Sequence, residues 1–307
     1  MWMGVFLALV TGVLWIVVGI ILRYAGNRIK MLDATLLYSL LQLPFFLWLL
    51  DGVAEFSSAN FWHLLGMLLA GGVNVWAMLL LQKAMADGNS GVSWAIGQSA
   101  LVSSFVTGIL FFGEEFSIIR CSGAVLIVCG MVVLGFSQRD PRSNVRSSRR
   151  WLWYAFAAFL LLCFAQATVA AGSNWQLSSG MRGALMTIGA IGFCVGRKYT
   201  SPERGFVFNK VMWVTVLGLA VVGLVSEMTN FIALDYLAEV NLSGIGYPLC
   251  LGSCIAGFAL YSALVLREKT NPATWCGILL IVLGIFLMPN YSSFAPAPEA
   301  LAGEIAE

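Results

Sequence analysis

LFFGEEFSIIRCSGAVLIVCG (residues 110–130) and LVLREKTNPATWCGILLIVLG (residues 264–284) are two versions of one pattern. A shift of 154 lays Leu264 on Leu110, Glu268 on Glu114, Gly277 on Gly123 and Gly284 on Gly130. The same shift pairs Ala84 with Ala238 and Ser99 with Ser253, so residues 80–134 are echoed by residues 234–288. Each version reads as an apolar run, a short turn carrying an acid, and a second apolar run. The glycines of that second run share a helix face, where they allow close backbone approach. Two related apolar halves point to transport, because such halves can rock about a shared site near the bilayer midplane.

Composition fits a lipid solvent. Of the 307 residues, 60% are apolar and 10% charged, with a mean hydropathy of +0.87; soluble domains carry about 25% charged residues. Crossing the hydrocarbon core takes about 20 apolar residues, and in lipid only helices or closed barrels satisfy their own backbone. Ten helices are read, at 2–22, 32–50, 61–81, 92–112, 121–136, 151–171, 177–195, 211–234, 245–266 and 274–288. The expected fold class is an all-α polytopic membrane protein. The first run is taken as a retained helix rather than a signal peptide, since no basic residue precedes it and Arg23, Arg28 and Lys30 follow it.

Charge supplies the topology. The loops after helices one, three, five, seven and nine hold 3, 1, 5, 4 and 2 Lys or Arg, whereas only Arg120 and Arg182 fall elsewhere. By the positive-inside rule these loops are cytoplasmic and both termini are extracytoplasmic. The basic stretch SQRDPRSNVRSSRR (residues 137–150) then reads as a cytoplasmic linker between a first five-helix repeat (1–136) and a second (151–288), followed by a tail (289–307). Because each repeat has an odd number of helices, the second must enter the membrane inverted: a 5+5 inverted repeat around a central cavity.

The segments quoted above resemble the helix–acid–helix signature of the drug/metabolite transporter superfamily (EamA-like). Within it, GVSWAIGQSALVSSFVTGILFFGE (residues 91–114) is similar to the glucose and rhamnose uptake branch. The resemblance implies a ten-helix basket lined chiefly by helices one, three, four, six, eight and nine. Members move sugars, nucleotide sugars, amino acids, choline and drugs.

Glu227 stands out in VVGLVSEMTNFIAL (residues 221–234), with no charged neighbour within six residues. A carboxylate at that depth needs a cavity, a partner or a proton, so Glu227 is the candidate for substrate binding and proton coupling. Asn230 lies one turn on, and Asn74 and Trp76 lie on the third helix; Trp94 and Gln98 lie on the fourth and Tyr247 on the ninth. Trp94, Trp76 and Tyr247 would stack on a pyranose ring, while Gln98, Asn74, Asn230 and Glu227 take its hydroxyls. Pro248 is expected to break the ninth helix and free carbonyls for a ligand. Arg182 either pairs with Glu227, holds an anionic substrate, or snorkels to the interface. Glu114 and Glu268 are read as structural.

No phosphate loop, HExxH or Ser-His-Asp pattern occurs, and the 7 Cys form no CxxC. No enzyme, cofactor, metal site or nucleic-acid partner is expected. The expectation is a secondary transporter in the cytoplasmic (inner) membrane, moving a small polar metabolite, foremost a sugar, by alternating access. Its partners would be that substrate, membrane lipids and protons. Export of amino acids or amphipathic drugs, and lipid flipping, are the alternatives.

Overall fold

The computed structural model describes residues 1–25, 28–50, 59–87, 90–137, 150–200, 209–265, 267 and 271–289. The linker 138–149, the tail from 290 and Glu268 therefore lie outside the described residues. Among those described the regular structure is helical: α1 (Trp2–Ala25), α2 (Met31–Trp48), α3 (Phe61–Asp87), α4a (Ser90–Gln98), α4b (Leu101–Phe112), α5 (Ile118–Ser137), α6 (Arg150–Asn174), α7 (Ser179–Thr200), α8 (Lys210–Ala238), a 3-10 turn (Ser243–Ile245), α9 (Gly246–Leu264) and α10 (Pro272–Leu287). Nine spans, counting α4a and α4b together and the 3-10 turn with α9, are long and apolar enough to cross a membrane. At 16 residues, α10 is an apolar helix shorter than these. The chain is an all-α polytopic membrane protein.

Helix neighbours in one half match those in the other. The first helix of each half packs on the third and fourth of the opposite half: α1 on α8 and α9, and α6 on α3 and α4. The fifth helices pack on each other through glycine. A Cβ added to Gly130 would lie 2.6 Å from the Gly277 carbonyl oxygen, and one on Gly284 would lie 2.5 Å from that of Gly123. Pairing 123 with 284 and 130 with 277 means that α5 and α10 run antiparallel, with a bare backbone on each side of the crossing.

The turn between the fourth and fifth helices also repeats. Gly113 closes α4b in the left-handed region (φ 67°), and Arg267, 154 residues on, adopts the same backbone (φ 53°). Ser117 and Asn271 share the N-cap position of α5 and α10: Asn271 accepts from the Thr274 N–H at 2.9 Å, and Ser117 from the Arg120 N–H at 3.5 Å.

One expected break is displaced. Pro248 does not interrupt the ninth helix, because it falls in the first turn of α9, where its missing N–H removes no helical hydrogen bond. The fourth helix breaks instead, at Ser99–Ala100 between α4a and α4b. There the Ser99 hydroxyl donates to the Ala95 carbonyl at 2.7 Å, and that of Ser103 bonds the Ala100 and Cys163 carbonyls at 2.6 and 3.0 Å. Short side chains thus add a second bond to the Ala95 and Ala100 carbonyls, each of which also accepts a backbone N–H.

Candidate substrate site

The site is organised by one face of α8. This helix runs on to Ala238 because nothing in FIALDYLAE stops it; Asn241 then turns left-handed (φ 54°) and the Leu242 N–H bonds the Leu237 carbonyl at 2.8 Å. The extra turn beyond the expected 211–234 brings Asp235 into the helix. Glu227, Phe231 and Asp235 are then spaced i, i+4, i+8 on one side of α8.

Arg182 reaches this face from the first turn of α7. Its Nη2 donates to both Asp235 oxygens, at 2.7 and 2.6 Å, and to Ser179 at 3.2 Å. Nη1 donates to the Ser173 hydroxyl at 2.6 Å, and the guanidinium carbon sits 4.9 Å from the Phe231 ring centre. The Arg182 side chain is 0% exposed and that of Asp235 42%. Arg182 therefore neither snorkels to the interface nor pairs with Glu227. The acid, two hydroxyls and a ring offset the cost of burying its charge.

Glu227 is half-buried and forms no hydrogen bond or ion pair among the described residues. The Tyr38 and Tyr247 hydroxyls are within its electrostatic reach, and Tyr247 is in turn within reach of Arg182. Asn230 bonds the Tyr247 side chain and accepts from the Cys250 thiol at 3.5 Å. The Trp15 ring lies 6.4 Å from that of Tyr247. Gln42 of α2 donates to the Leu219 and Ala220 carbonyls at 3.3 Å each, fixing α2 against α8 about two turns before Glu227. Carboxylate, amide, phenols and indole thus converge from α1, α2, α8 and α9. This is the mix of polar groups and aromatic surface that small-ligand sites use.

The expected site residues divide. Arg182, Glu227, Asn230 and Tyr247 come together. No hydrogen bond, ion pair or ring contact among the described residues joins Trp94, Gln98, Asn74 or Trp76 to them. Gln98 is buried, and Trp94 and Asn74 are half-buried. Trp76 is 48% exposed and stacks on Phe193 in an apolar groove between α3 and α7, 6.4 Å between ring centres. Its ring lies at the edge of the α3–α7 contact, one turn from Gly72, where an added Cβ would sit 3.1 Å from the Gly189 carbonyl oxygen.

At the far end of α7, Lys198 pairs with Asp33 of α2 at 2.6 Å, both largely buried. Sixteen residues separate Arg182 from Lys198, about 24 Å of helix. Glu114 closes a further junction. Its Oε1 accepts from the Ser243 hydroxyl and the Gly244 N–H, each at 2.8 Å, and Ser243 accepts from Asn174 at 2.8 Å. Burial pushes the Glu114 carboxyl above the ordinary carboxylate range, against the pull of Gly244, Ser243 and the Arg120 charge.

Sequence reasoning missed Asp235, Tyr38 and Gln42. For Asp235 a signal existed: no breaker separates it from Glu227, and the two acids share a helical face. For the other two nothing local distinguishes them, because their role comes from packing against α8.

The geometry defines a helical membrane protein with buried ion pairs and a partly polar interior. Residues 2–136 match the EamA-like transporter family, which lies within the drug/metabolite transporter superfamily. A solved structure described only as a crystal structure of a protein is similar over 95% of this chain and 99% of its own, with a TM-score of 0.70 at 15% identity. That likeness concerns the fold. No protein of curated function matches the chain.

Proposed function

We propose that the whole chain is a secondary transporter, built as an inverted 5+5 repeat, that moves a small polar metabolite across the cytoplasmic membrane by alternating access. The family match over the first half, the 154-residue repeat, the reciprocal glycine contacts of α5 and α10 and the matching helix neighbours support this reading. The observation that carries the site is Glu227: an acid well inside a membrane helix, without a bonded partner among the described residues, within electrostatic reach of two phenols and near an Asn and a Trp. Such a group is costly unless it meets a ligand or a proton. Glu227 is its acceptor and proton-coupling residue; Asn230 and Tyr247 orient the substrate.

The resemblance to sugar-uptake members makes a sugar the first substrate to test, with Trp15 and Tyr247 as ring platform. A second reading, an amine-bearing metabolite or drug, draws on a specific contact. Asp235 already neutralises Arg182, so the group around Glu227 has an acid without a cation. A thermal-shift screen of the detergent-purified protein against sugars, amino acids, choline and lipid headgroups separates these, since a ligand of the folded state raises its apparent stability. A saturable shift with a sugar, lost in Asn230→Ala, supports the first reading. A shift with ammonium compounds alone moves the assignment to the second, and a response to lipids alone would replace both with a flippase.

A further inference from the structure

Arg182 stands between two acids. Its guanidinium lies over Phe231, one helical turn from Asp235 on one side and one turn from Glu227 on the other. It is fully buried, its Nε has no hydrogen-bond partner among the described residues, and Tyr247 is within electrostatic reach of both Arg182 and Glu227. A buried guanidinium takes whichever carboxylate its neighbours leave it. Here Asp235 holds it through both carboxylate oxygens, assisted by Ser173 and Ser179.

We infer that Asp235 is a specificity-determining residue: by holding Arg182 at the end of α8, it leaves Glu227 as the uncompensated charge of the site, so that neutral and cationic substrates enter and anionic ones are refused. This rests on the proposed site around Glu227. Asp235 does not touch substrate; it acts through the cation it withholds. Without Asp235 the guanidinium swings one turn along α8 to Glu227, and the site loses its net negative charge.

The first test needs no substrate. Dicyclohexylcarbodiimide modifies protonated carboxyls in apolar surroundings, and mass spectrometry of the labelled full-length protein reads Glu227 at one fixed pH. Wild type is expected to label, because the irreversible reagent traps an unpaired carboxylate each time it takes up a proton, which pairing with a guanidinium suppresses. Asp235→Asn should lose most of that labelling as Arg182 pairs with Glu227, and Asp235→Glu should keep it. The double variant Arg182→Met with Asp235→Leu should label like wild type, because acid and cation leave together. Unchanged labelling in Asp235→Asn overturns the inference. If that variant fails to fold, a double variant that labels unlike wild type overturns it as well.

The second test compares binding of glucose, glucosamine and glucuronate, one ring in three charge states. Wild type should disfavour glucuronate by roughly tenfold or more, and Asp235→Asn should reduce or reverse that margin. Absence of binding by all three in wild type would count against the sugar reading, while the labelling result would still decide the role of Asp235.

Discussion

The Glu114 carboxylate accepts the backbone N–H of Gly244 at 2.8 Å, tying the turn after the fourth helix to the start of the ninth, three residues before Tyr247. The two glycines beside it are required by contact: a Cβ at Gly108 would lie 2.5 Å from the Glu114 carboxyl carbon, and one at Gly244 2.8 Å from Oε2. Glu114→Ala should lower stability by about 2–4 kcal/mol, since it strands a buried N–H and a hydroxyl. Glu114→Gln should cost far less, because its carbonyl oxygen can still accept both bonds. Chemical denaturation of the two variants in detergent makes the comparison.

The same residue gives a pH dependence with a definite sign. Its carboxyl binds a proton more readily folded than unfolded, so its stabilisation is complete below the ordinary carboxylate value of about 4.3 and is lost as pH rises through the raised value. The apparent melting temperature of wild type minus that of Glu114→Gln should therefore fall as pH rises above the ordinary carboxylate value of about 4.3. A difference that rises over this range would mean that the Arg120 charge and the two hydrogen bonds outweigh burial.

The glycine crossing of α5 and α10 should tolerate no methyl group. In Gly130→Ala the new Cβ meets the Gly277 oxygen at 2.6 Å and the Ile281 nitrogen at 3.0 Å, both backbone atoms. Overpacking of this kind costs about 1–3 kcal/mol. Gly192→Ala, which meets open space in the α7 groove, should be neutral or gain up to about 1 kcal/mol from helix propensity. Thermal unfolding of the pair tests the contrast.

Transport should separate two acids, Glu227 within α8 and Glu114 in the turn after α4b. Uptake driven by an imposed proton gradient in proteoliposomes should fall by roughly tenfold or more in Glu227→Gln and stay within about twofold of wild type in Glu114→Gln. Equal uptake by the Glu227 variant and wild type at every pH would remove Glu227 from the mechanism.

Trp15→Ala should weaken ligand binding without unfolding the protein, because its ring lies 6.4 Å from that of Tyr247, whereas Trp76→Ala should leave binding unchanged, because the Trp76 ring lies in an outward groove. A ligand titration of each variant checks this. Strong loss of binding in Trp76→Ala would return α3 to the site.

Orientation is open to labelling. Tyr199, 76% exposed beside Arg197 and Lys198, lies at an end of α7 that the charge rule makes cytoplasmic. In a cysteine-free background, Tyr199→Cys should resist a membrane-impermeant thiol reagent in intact cells and react in inside-out vesicles.

Helix number and order were legible because hydrophobic length is a one-dimensional property: ten apolar runs became ten helical units among the described residues. The helix–acid–helix turn was legible too, since Glu114 and Gly113 are local in sequence. Helix ends were less so. The boundary set at 234 stopped one residue short of Asp235, because the apolar count ends there while the backbone continues to Ala238. Arg182 was misread for a related reason. Hydropathy assigns a lone arginine to the interface and has no term for an acid 53 residues away. Trp76 was not placed by its helix either: it was expected in the substrate site, and only the packing of α3 on α7 shows its ring 48% exposed against Phe193.

The interruption of α4 at Ser99–Ala100 has no counterpart in α9, where the equivalent Ser253 and Cys254 sit within continuous helix. In a protein whose halves trade conformations, perfectly matched halves would make the two facing states mirror each other and hold equal populations. A joint on one side alone removes that degeneracy. In the transporter proposed above, a half jointed at Ser99–Ala100 and a half without that joint would not exchange conformations as equals, so the inward- and outward-facing states would differ in population.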